Sequence, residues 1–341
     1  MRTACKPSAP HGEGKGLILH GRPLMSQSIS EKRMGIITRF AVFALTASAW
    51  TLAPAAESYL IVDNQTGHIL ASENKDEKLP VASLTKVATA VVALDWARVN
   101  DADLSTHADI SSRALAAGGV NPVGFQPGDQ VSLRDLIYSA LLASDNIAAT
   151  ALAEYVGARL PNSSDLDPAG NFVAHMNALA RSLGMNRTLF LNPSGFDGME
   201  EGATPYSTAA DMARLTRYAY NVSGFPFYVA QAERQIQIFR NGVHMPFDLR
   251  NTNELVGRDG IDGVKTGRTR RAGDCLILSS DRSPESKREG EKVFVTPRRI
   301  IVVILRSPDR FGEGNALLQQ GWNLYDAWAA RGRKTPKSQS L

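Results

Sequence analysis

The sequence predicts an α+β fold, an antiparallel sheet flanked by helices. Three observations carry this reading. Short β-rich runs follow the first sixty residues, segments of helical period fill the middle, and β-rich runs return in the last third before one more helix. Both ends of the domain then feed one sheet. The 341 residues are 43% hydrophobic and 21% charged, with 28 Gly and 17 Pro spread along the chain. That composition excludes collagen-like, wholly disordered, multi-span membrane and disulfide-scaffold classes.

Tyr59–Val62 and His68–Ser72 are apolar-rich runs joined by Asp63-Asn64-Gln65-Thr66-Gly67, a hairpin pattern. After Pro80 the period changes: Leu84, Val87, Ala88, Val91 and Val92 form one stripe of a buried helix that Ser83 opens and that ends near Val99. Ser132-Leu133-Arg134-Asp135 is a capping-box pattern for a helix through Leu142. A further helix is expected from Ile147 to Val156, ended by Gly157, and others at 170–183 and 207–221. Val264–Gly267, Cys275–Ser279 and Ile300–Leu305 read as strands, with the polar stretch Asp281–Arg299 as a long exposed hairpin loop. Leu317, Gly321, Leu324, Tyr325 and Trp328 mark a helix closing on the sheet. No internal repeat is present.

At the N-terminus, Lys32, Arg33 and Arg39 precede the uncharged run Phe40–Ala56, and Ala53-Pro54-Ala55 fits a small-x-small cleavage site. This is the pattern of a secretory signal with Ala56 as the new N-terminus. The run is short for a membrane span, which needs about 20 residues, so no stable anchor is expected. Met25 and Met34 are alternative translation starts, Met34 opening a normal signal. The expected organisation is a leader over 1–55, one catalytic domain over 56–330 and a basic, flexible, solvated tail over 331–341. The net charge of +4 and pI of about 9.1 suggest a polyanion partner, but their distribution removes it. The leader carries +5 and the tail +4, leaving −5 on the body, which argues against nucleic acid. Cys5 lies in the leader and Cys275 would be alone after cleavage, so no internal disulfide is expected.

The motifs of several chemistries are missing. His68, His107, His175 and His244 are widely separated, with no HExxH, no GxSxG elbow, no GxGxxG and no phosphate loop, so neither metal nor cofactor is expected. What remains is a serine–lysine arrangement. Ser83-Leu84-Thr85-Lys86 opens the first long helix, and a spacing of three puts both side chains on one face. The helix N-terminus favours a developing alkoxide and disfavours a protonated amine, so both effects push a proton from Ser83 to Lys86. The motif is weak alone, and Ser72-Glu73-Asn74-Lys75 repeats it without a helical stripe behind it. Ser144-Asp145-Asn146, between two helices, and Lys265-Thr266-Gly267, on a strand, supply the hydroxyls, amide and second lysine wanted for acyl transfer on an anionic peptide.

With these three motifs the sequence resembles the penicillin-recognising serine enzymes. More closely it resembles the low-molecular-mass penicillin-binding proteins that are D-alanyl-D-alanine carboxypeptidases of peptidase family S11. Leu60-Ile61-Val62-Asp63, Pro80-Val81-Ala82, Phe125-Gln126-Pro127-Gly128-Asp129, Asn192-Pro193-Ser194-Gly195, Tyr206–Ala213, Asn251-Thr252-Asn253, Asp262-Gly263-Val264 and Ala272-Gly273 extend the resemblance across 57–328. It implies a β-lactamase/transpeptidase-like fold and a penicillin-sensitive enzyme that removes the terminal D-Ala of peptidoglycan stem peptides in the periplasm or outside the cell. It implies Ser83 as nucleophile, Lys86 as general base and Ser144 as proton relay to the leaving D-Ala. Asn146 would hold the substrate amide, and Lys265 would orient the cleft and depress the pKa of Lys86. The backbone N–H groups of Ser83 and Arg268 would form the oxyanion hole beside Gly267. Thr266 would bind the terminal carboxylate, with Arg250 and Arg306 as further matches for it.

This chain departs from the family at Arg268, where His or Tyr is common, and in the length of the 281–299 segment. It stops soon after Trp328, without the second β-rich domain and amphipathic helix of several relatives, which suggests a single free domain. Three other readings stand beside the carboxypeptidase. A DD-endopeptidase cutting cross-links has the same motifs. A β-lactamase would want a Glu three residues before Leu191-Asn192, where position 188 is Thr. A non-catalytic wall-binding or β-lactam-sensing module would not need Ser83, Lys86, Ser144 and Lys265 intact.

Overall fold

A computed structural model describes residues 55–162, 165–197 and 204–341. The expected signal peptide, its cleavage pattern and the alternative starts lie outside the described residues, Ala55 and Ala56 apart. The first hairpin is β1 (Ser58–Asp63) and β2 (Ile69–Glu73). Its turn is built as the sequence suggests, Asp63 Oδ2 accepting from the N–H and the hydroxyl of Thr66 at 2.7 Å each. A 3-10 turn over Ala82–Thr85 then leads into α1 (Lys86–Val99). The helix therefore begins at Lys86, three residues after the serine expected to open it. It is also buried on every side from Lys86 to Leu94, not along one stripe, which makes it the central helix of the domain.

After β3 (His107–Asp109), α2 (Ser112–Ala116) and β4 (Gln130–Ser132) come α3 (Leu133–Leu141) and α4 (Asn146–Gly157). Ser132 Oγ accepts the Asp135 N–H at 3.0 Å and Asp145 Oδ1 accepts the Ala148 N–H at 2.9 Å, so both helices start on side-chain caps. Next are α5 (Pro168–Ser182), α6 (Ala209–Ala219) and α7 (Phe225–Val229). A second hairpin follows, β5 (Glu233–Arg240) and β6 (Val243–Arg250). It was not expected, although Asn241-Gly242 at its tip, both at positive φ, is the commonest two-residue hairpin signal. It joins β3 and β4 in a four-stranded antiparallel sheet, pinned where Arg240 grips the buried Asp129 carboxylate through two N–H groups at 2.6 and 2.7 Å.

The chain ends with β7 (Ile261–Thr269), β8 (Gly273–Glu289), β9 (Lys292–Ser307) and α8 (Arg310–Ala330). The main sheet is antiparallel in the order β2-β1-β9-β8-β7, which leaves β7 at an edge. Its side chains alternate between two buried layers. Ile300, Val302 and Ile304 join Leu318, Trp322 and Trp328 of α8, whereas Ile301, Val303 and Leu305 join the helices around α1. The 281–299 segment is not a loop. β8 and β9 continue past the sheet as a two-stranded ribbon closed at Gly290-Glu291, with register kept from Glu285↔Thr296 to Glu289↔Lys292. Solvent bathes both of its faces, so it lacks the apolar alternation that marks a strand. The basic tail is largely exposed, as expected of a solvated end, but its last residues return to the first hairpin: Leu341 N donates to the Gly67 carbonyl at 3.1 Å and Ser340 forms a β-bridge with His68. No helix among the described residues is long and apolar enough to cross a membrane.

Candidate active site

Four separate segments meet at the open edge of β7. The first is the Ser83 turn, whose preceding residue Ala82 sits at φ +48°, a conformation costly for a residue with a Cβ. Close packing holds it. A Cβ on Gly267 would lie 2.9 Å from the Val81 carbonyl oxygen and 3.3 Å from Leu84 N, so the third residue of Lys265-Thr266-Gly267 must be glycine for β7 to reach the turn. Ser83 is half-buried and faces the cleft.

Lys86 is fully buried, and its Nζ has three partners: Ser83 Oγ at 2.8 Å, Asn146 Oδ1 at 2.7 Å and the Ser194 carbonyl oxygen at 2.9 Å. Two of these can only accept. A neutral amine has two N–H bonds and one lone pair, so donating to Asn146 and Ser194 leaves the lone pair towards the one partner that can give up a proton, Ser83. Removal from water lowers the Lys86 pKa to about 7, with Asp145 partly opposing. Burial also holds Lys265 well below the lysine range, followed by repulsion from Lys86 and Arg310. Lost hydration is thus the leading cause for both lysines, and the repulsion between them is mutual, so a charge on either one disfavours a charge on the other.

The Ser194 carbonyl is positioned by Asn192, whose Oδ1 accepts from Ser194 N at 3.1 Å, Ser194 Oγ at 3.1 Å, Gly195 N at 2.7 Å and Phe196 N at 3.2 Å. Thr89 on α1 donates to the Pro193 carbonyl at 2.6 Å, tying this loop to the central helix. The second motif sits on the turn from α3 to α4. Asp145 is buried and points inward to cap α4, accepting also from Val123 N at 3.3 Å, and burial raises its pKa to about 6. Ser144, at φ +61°, is half-buried and makes no hydrogen bond to Ser83, Lys86 or Lys265.

On β7, Lys265 is buried and donates to the Thr266 carbonyl at 3.0 Å. Thr266 Oγ1 lies 2.7 Å from Thr252 Oγ1, and Thr252 donates to the Leu142 carbonyl at 3.1 Å, linking the third motif to the turn that carries the second. Of the arginines expected near a carboxylate, neither reaches the cleft. Arg250 is on the outer hairpin, 85% exposed and 3.5 Å from Glu233. Arg306 is committed to Glu57 at 2.8 Å and the Arg271 carbonyl at 2.9 Å. The residue that does approach is Arg310, at the start of α8, with Nη1 3.2 Å from the Gly267 carbonyl oxygen and 3.4 Å from Asp274.

The resulting cleft of about 470 Å³ is lined by Ser83, Asn146, Gly119, Val120, Gly195–Asp197 and Arg268–Arg271. A larger groove of about 810 Å³ between the ends of α1, α4 and α5 holds none of the motif residues, so chemistry and not volume selects the site. Thr188, where the β-lactamase pattern has Glu, is tied to Ser207 at 2.7 Å and Asp211 at 2.9 Å. Among the described residues, no group of three or more His, Cys, Asp or Glu side chains could hold a metal ion.

Comparison with known proteins agrees with this geometry. Residues 44–287 match the peptidase S11 family model, described as D-alanyl-D-alanine carboxypeptidase. The chain is 31% identical over 230 residues to the D-alanyl-D-alanine carboxypeptidase DacF of Bacillus subtilis, covering 67% of this chain and 55% of that one. It is 34% identical over 245 residues to the D-alanyl-D-alanine endopeptidase of Escherichia coli, covering 69% of this chain and 71% of that one. The chain thus spans little more than half the length of the Bacillus relative. Among solved structures, the Streptomyces K15 DD-transpeptidase superposes with a TM-score of 0.67 at 25% identity, covering 80% of this chain and 98% of that one. The serine–lysine site and its β7 edge therefore stand on a shared scaffold, and the chain belongs to peptidase family S11, the D-alanyl-D-alanine carboxypeptidases.

Proposed function

We propose that this protein is an exported, penicillin-sensitive serine carboxypeptidase that removes the terminal D-Ala from peptidoglycan stem peptides. The observation that carries the reading is the three-partner setting of Lys86, which leaves a neutral amine one lone pair and aims it at Ser83. In this reading Ser83 Oγ attacks the carbonyl of the penultimate D-Ala as Lys86 Nζ takes its proton. The oxyanion is received by the backbone N–H groups of Ser83 and Arg268, a reading supported by the close packing of Gly267 on Val81 and Leu84, either side of the Ser83 turn. Ser144, whose hydroxyl makes no hydrogen bond among the described residues, passes the proton to the leaving amine, and free D-Ala departs. Water then hydrolyses the ester, its proton returning through Lys86.

Recognition follows the same elements. The free edge of β7 accepts the peptide as an added strand. Asn146 Nδ2, only 3.5 Å from the Gly118 carbonyl and weakly held there, is available to the substrate amide. Lys265, Thr266 and Arg310 converge on the terminal carboxylate, Arg310 replacing Arg250 and Arg306 in that role. β-Lactams enter as mimics of the dipeptide and stop at the ester. Intact-mass spectrometry after benzylpenicillin tests the reading: one adduct on Ser83, lost in Ser83→Ala, is expected, and no adduct on the native chain refutes it. The endopeptidase name of the Escherichia coli relative supports a second reading, cleavage of cross-linked peptides by the same machinery. Digestion of purified cross-linked and linear muropeptides separates the two.

A further inference from the structure

The tail beyond α8 is held at two places. Near its start, Trp328 Nε1 donates to the Lys334 carbonyl at 3.0 Å, and Arg333 pairs with Glu285 at 2.6 Å. At its end, Ser340 bridges to His68 and Leu341 N donates to the Gly67 carbonyl. His68 joins the second attachment to the body of the protein. It is 6% exposed, and its ring stacks on the Trp328 indole at 4.4 Å with the two planes 14° apart. The Gln339 carbonyl of the tail accepts from the ring, whereas Nδ1 is buried without a hydrogen-bond partner among the described residues. One nitrogen donating and the other bare is a neutral imidazole with its proton on Nε2.

Protonation would place a second N–H at Nδ1, where no acceptor waits, and a charge in a pocket closed to water. The charged groups around the ring divide. Asp63, at the other end of the hairpin turn, attracts a proton to it, but Asp63 Oδ2 is already committed to the N–H and hydroxyl of Thr66. Arg331 at the end of α8 repels it, and the Arg217 guanidinium lies against Gly67 on the hairpin itself. The indole face favours a cation and offsets part of the cost. Burial nevertheless leads, and it holds the His68 pKa below its ordinary 6.5. Once the end of the tail lifts away, the ring meets water and takes up a proton at the ordinary value.

We propose that His68 is a proton-sensitive latch, which holds residues 335–341 on the first hairpin while its ring is neutral and lets them go when the ring is protonated. Because the open form binds the proton more readily than the closed one, acid favours opening. The opening constant should rise by up to about tenfold between pH 7.5 and pH 5.5. Hydrogen–deuterium exchange of the native chain at the two pH values, each rate divided by the intrinsic rate at its pH, reads this in the tail peptide. Its reporters are the Gln339 and Leu341 amides, which donate to the Pro336 and Gly67 carbonyls. Tail protection should fall by about five- to tenfold at pH 5.5 while α1 keeps its own. His68→Phe retains a ring to stack on Trp328 and cannot titrate, so its tail protection should agree within about twofold at the two pH values. Unchanged protection in the native chain, the same loss in His68→Phe, or a loss that extends to α1 overturns the proposal. An NMR titration of the native His68 ring serves if the variant's tail is loose at both pH values. An apparent pKa below 6.5 is then expected, and a value at or above it overturns the latch.

Discussion

The setting of Lys86 gives a sharp pH prediction. If the neutral amine is the base, the rate of Ser83 acylation by a chromogenic β-lactam follows the neutral fraction of Lys86 and has its midpoint at about 7. Two pH units lower only about 1% of the amine is neutral, so acylation at pH 5 should be up to about 100-fold slower than on the alkaline plateau. Asp145 softens the fall: its own pKa is about 6, and its protonation removes the carboxylate that raises Lys86. The same shift is a stability statement. Because the folded value lies below the ordinary 10.5, the unfolded chain holds a proton that the folded chain lacks between pH 7 and 10.5. Stability from this group therefore rises with pH across that window, by up to about 1.4 kcal/mol per unit, and the full penalty of about 5 kcal/mol applies below pH 7. Lys86→Met removes this slope and slows acylation about 10³-fold. Its stability at any single pH is less informative, since Asn146 Oδ1 and the Ser194 carbonyl lose their donor at about 1–3 kcal/mol each. Stopped-flow acylation from pH 5 to 10 and urea melts of both proteins across the same range measure all of this. A pH-independent acylation rate, or a midpoint near 10, refutes the neutral-amine argument.

Four further substitutions test the scaffold and the recognition of the substrate. Gly267→Ala places a methyl 2.9 Å from the Val81 carbonyl and should push the Ser83 turn off β7; acylation should drop about 10–100-fold for about 1–3 kcal/mol of stability, measured by adduct kinetics and urea melts. Asn192→Ala strips four donors of their shared acceptor; urea melts should show a loss of about 3 kcal/mol, with slower acylation at every pH as the Ser194 carbonyl leaves Lys86. Arg310→Gln should raise KM for a D-Ala-D-Ala peptide about tenfold or more, while Arg250→Gln, on an exposed pair, leaves KM within about twofold.

What the sequence disclosed and what it hid divide along physical lines. Ser83 and Lys86 were legible because three residues of spacing fix their neighbourhood locally. The neutrality of Lys86 was not, because its acceptors come from Asn146 and Ser194, 60 and 108 positions away. Helices α3 and α4 were legible through Ser132 and the Gly157 end, but the full burial of α1 depends on what surrounds it. The β5–β6 hairpin has its turn signal in Asn241-Gly242, but the charged and polar residues of its strands hide the apolar alternation that would extend it. The ribbon beyond Asp281 could not announce itself, since a strand with two wet faces has no apolar period. That ribbon also hid Arg310: its length separates β8 from β9, so the distance in sequence from Lys265 to Arg310 says nothing of their nearness in space.

The edge position of β7 explains why these particular parts are assembled there. An unpaired strand edge invites association with any other chain, a hazard that folded proteins blunt with charge or cover. Here the cover is the site itself. The Ser83 turn presses on Gly267, and Gly119, Val120 and Gly195–Asp197 face the strand across a cleft of about 470 Å³, with Arg268 and Arg270 at its exit. Another sheet cannot reach an edge walled in this way, but a single extended peptide can slide between the walls. In the proposed reading its backbone pairs with β7, which fixes its register relative to Ser83 without help from its side chains. The strained residues follow from the same demand: Ala82 at φ +48° and Ser144 at φ +61° bend their turns towards the strand. Each bend costs about 1–3 kcal/mol, and packing against Gly267 and Gly195 is what maintains the first. If that is right, relaxing it with Ala82→Gly should stabilise the fold slightly and slow acylation, because the turn would gain conformations in which Ser83 no longer meets Lys86. A variant both more stable and faster would separate the strain from the chemistry and undo this account of the edge.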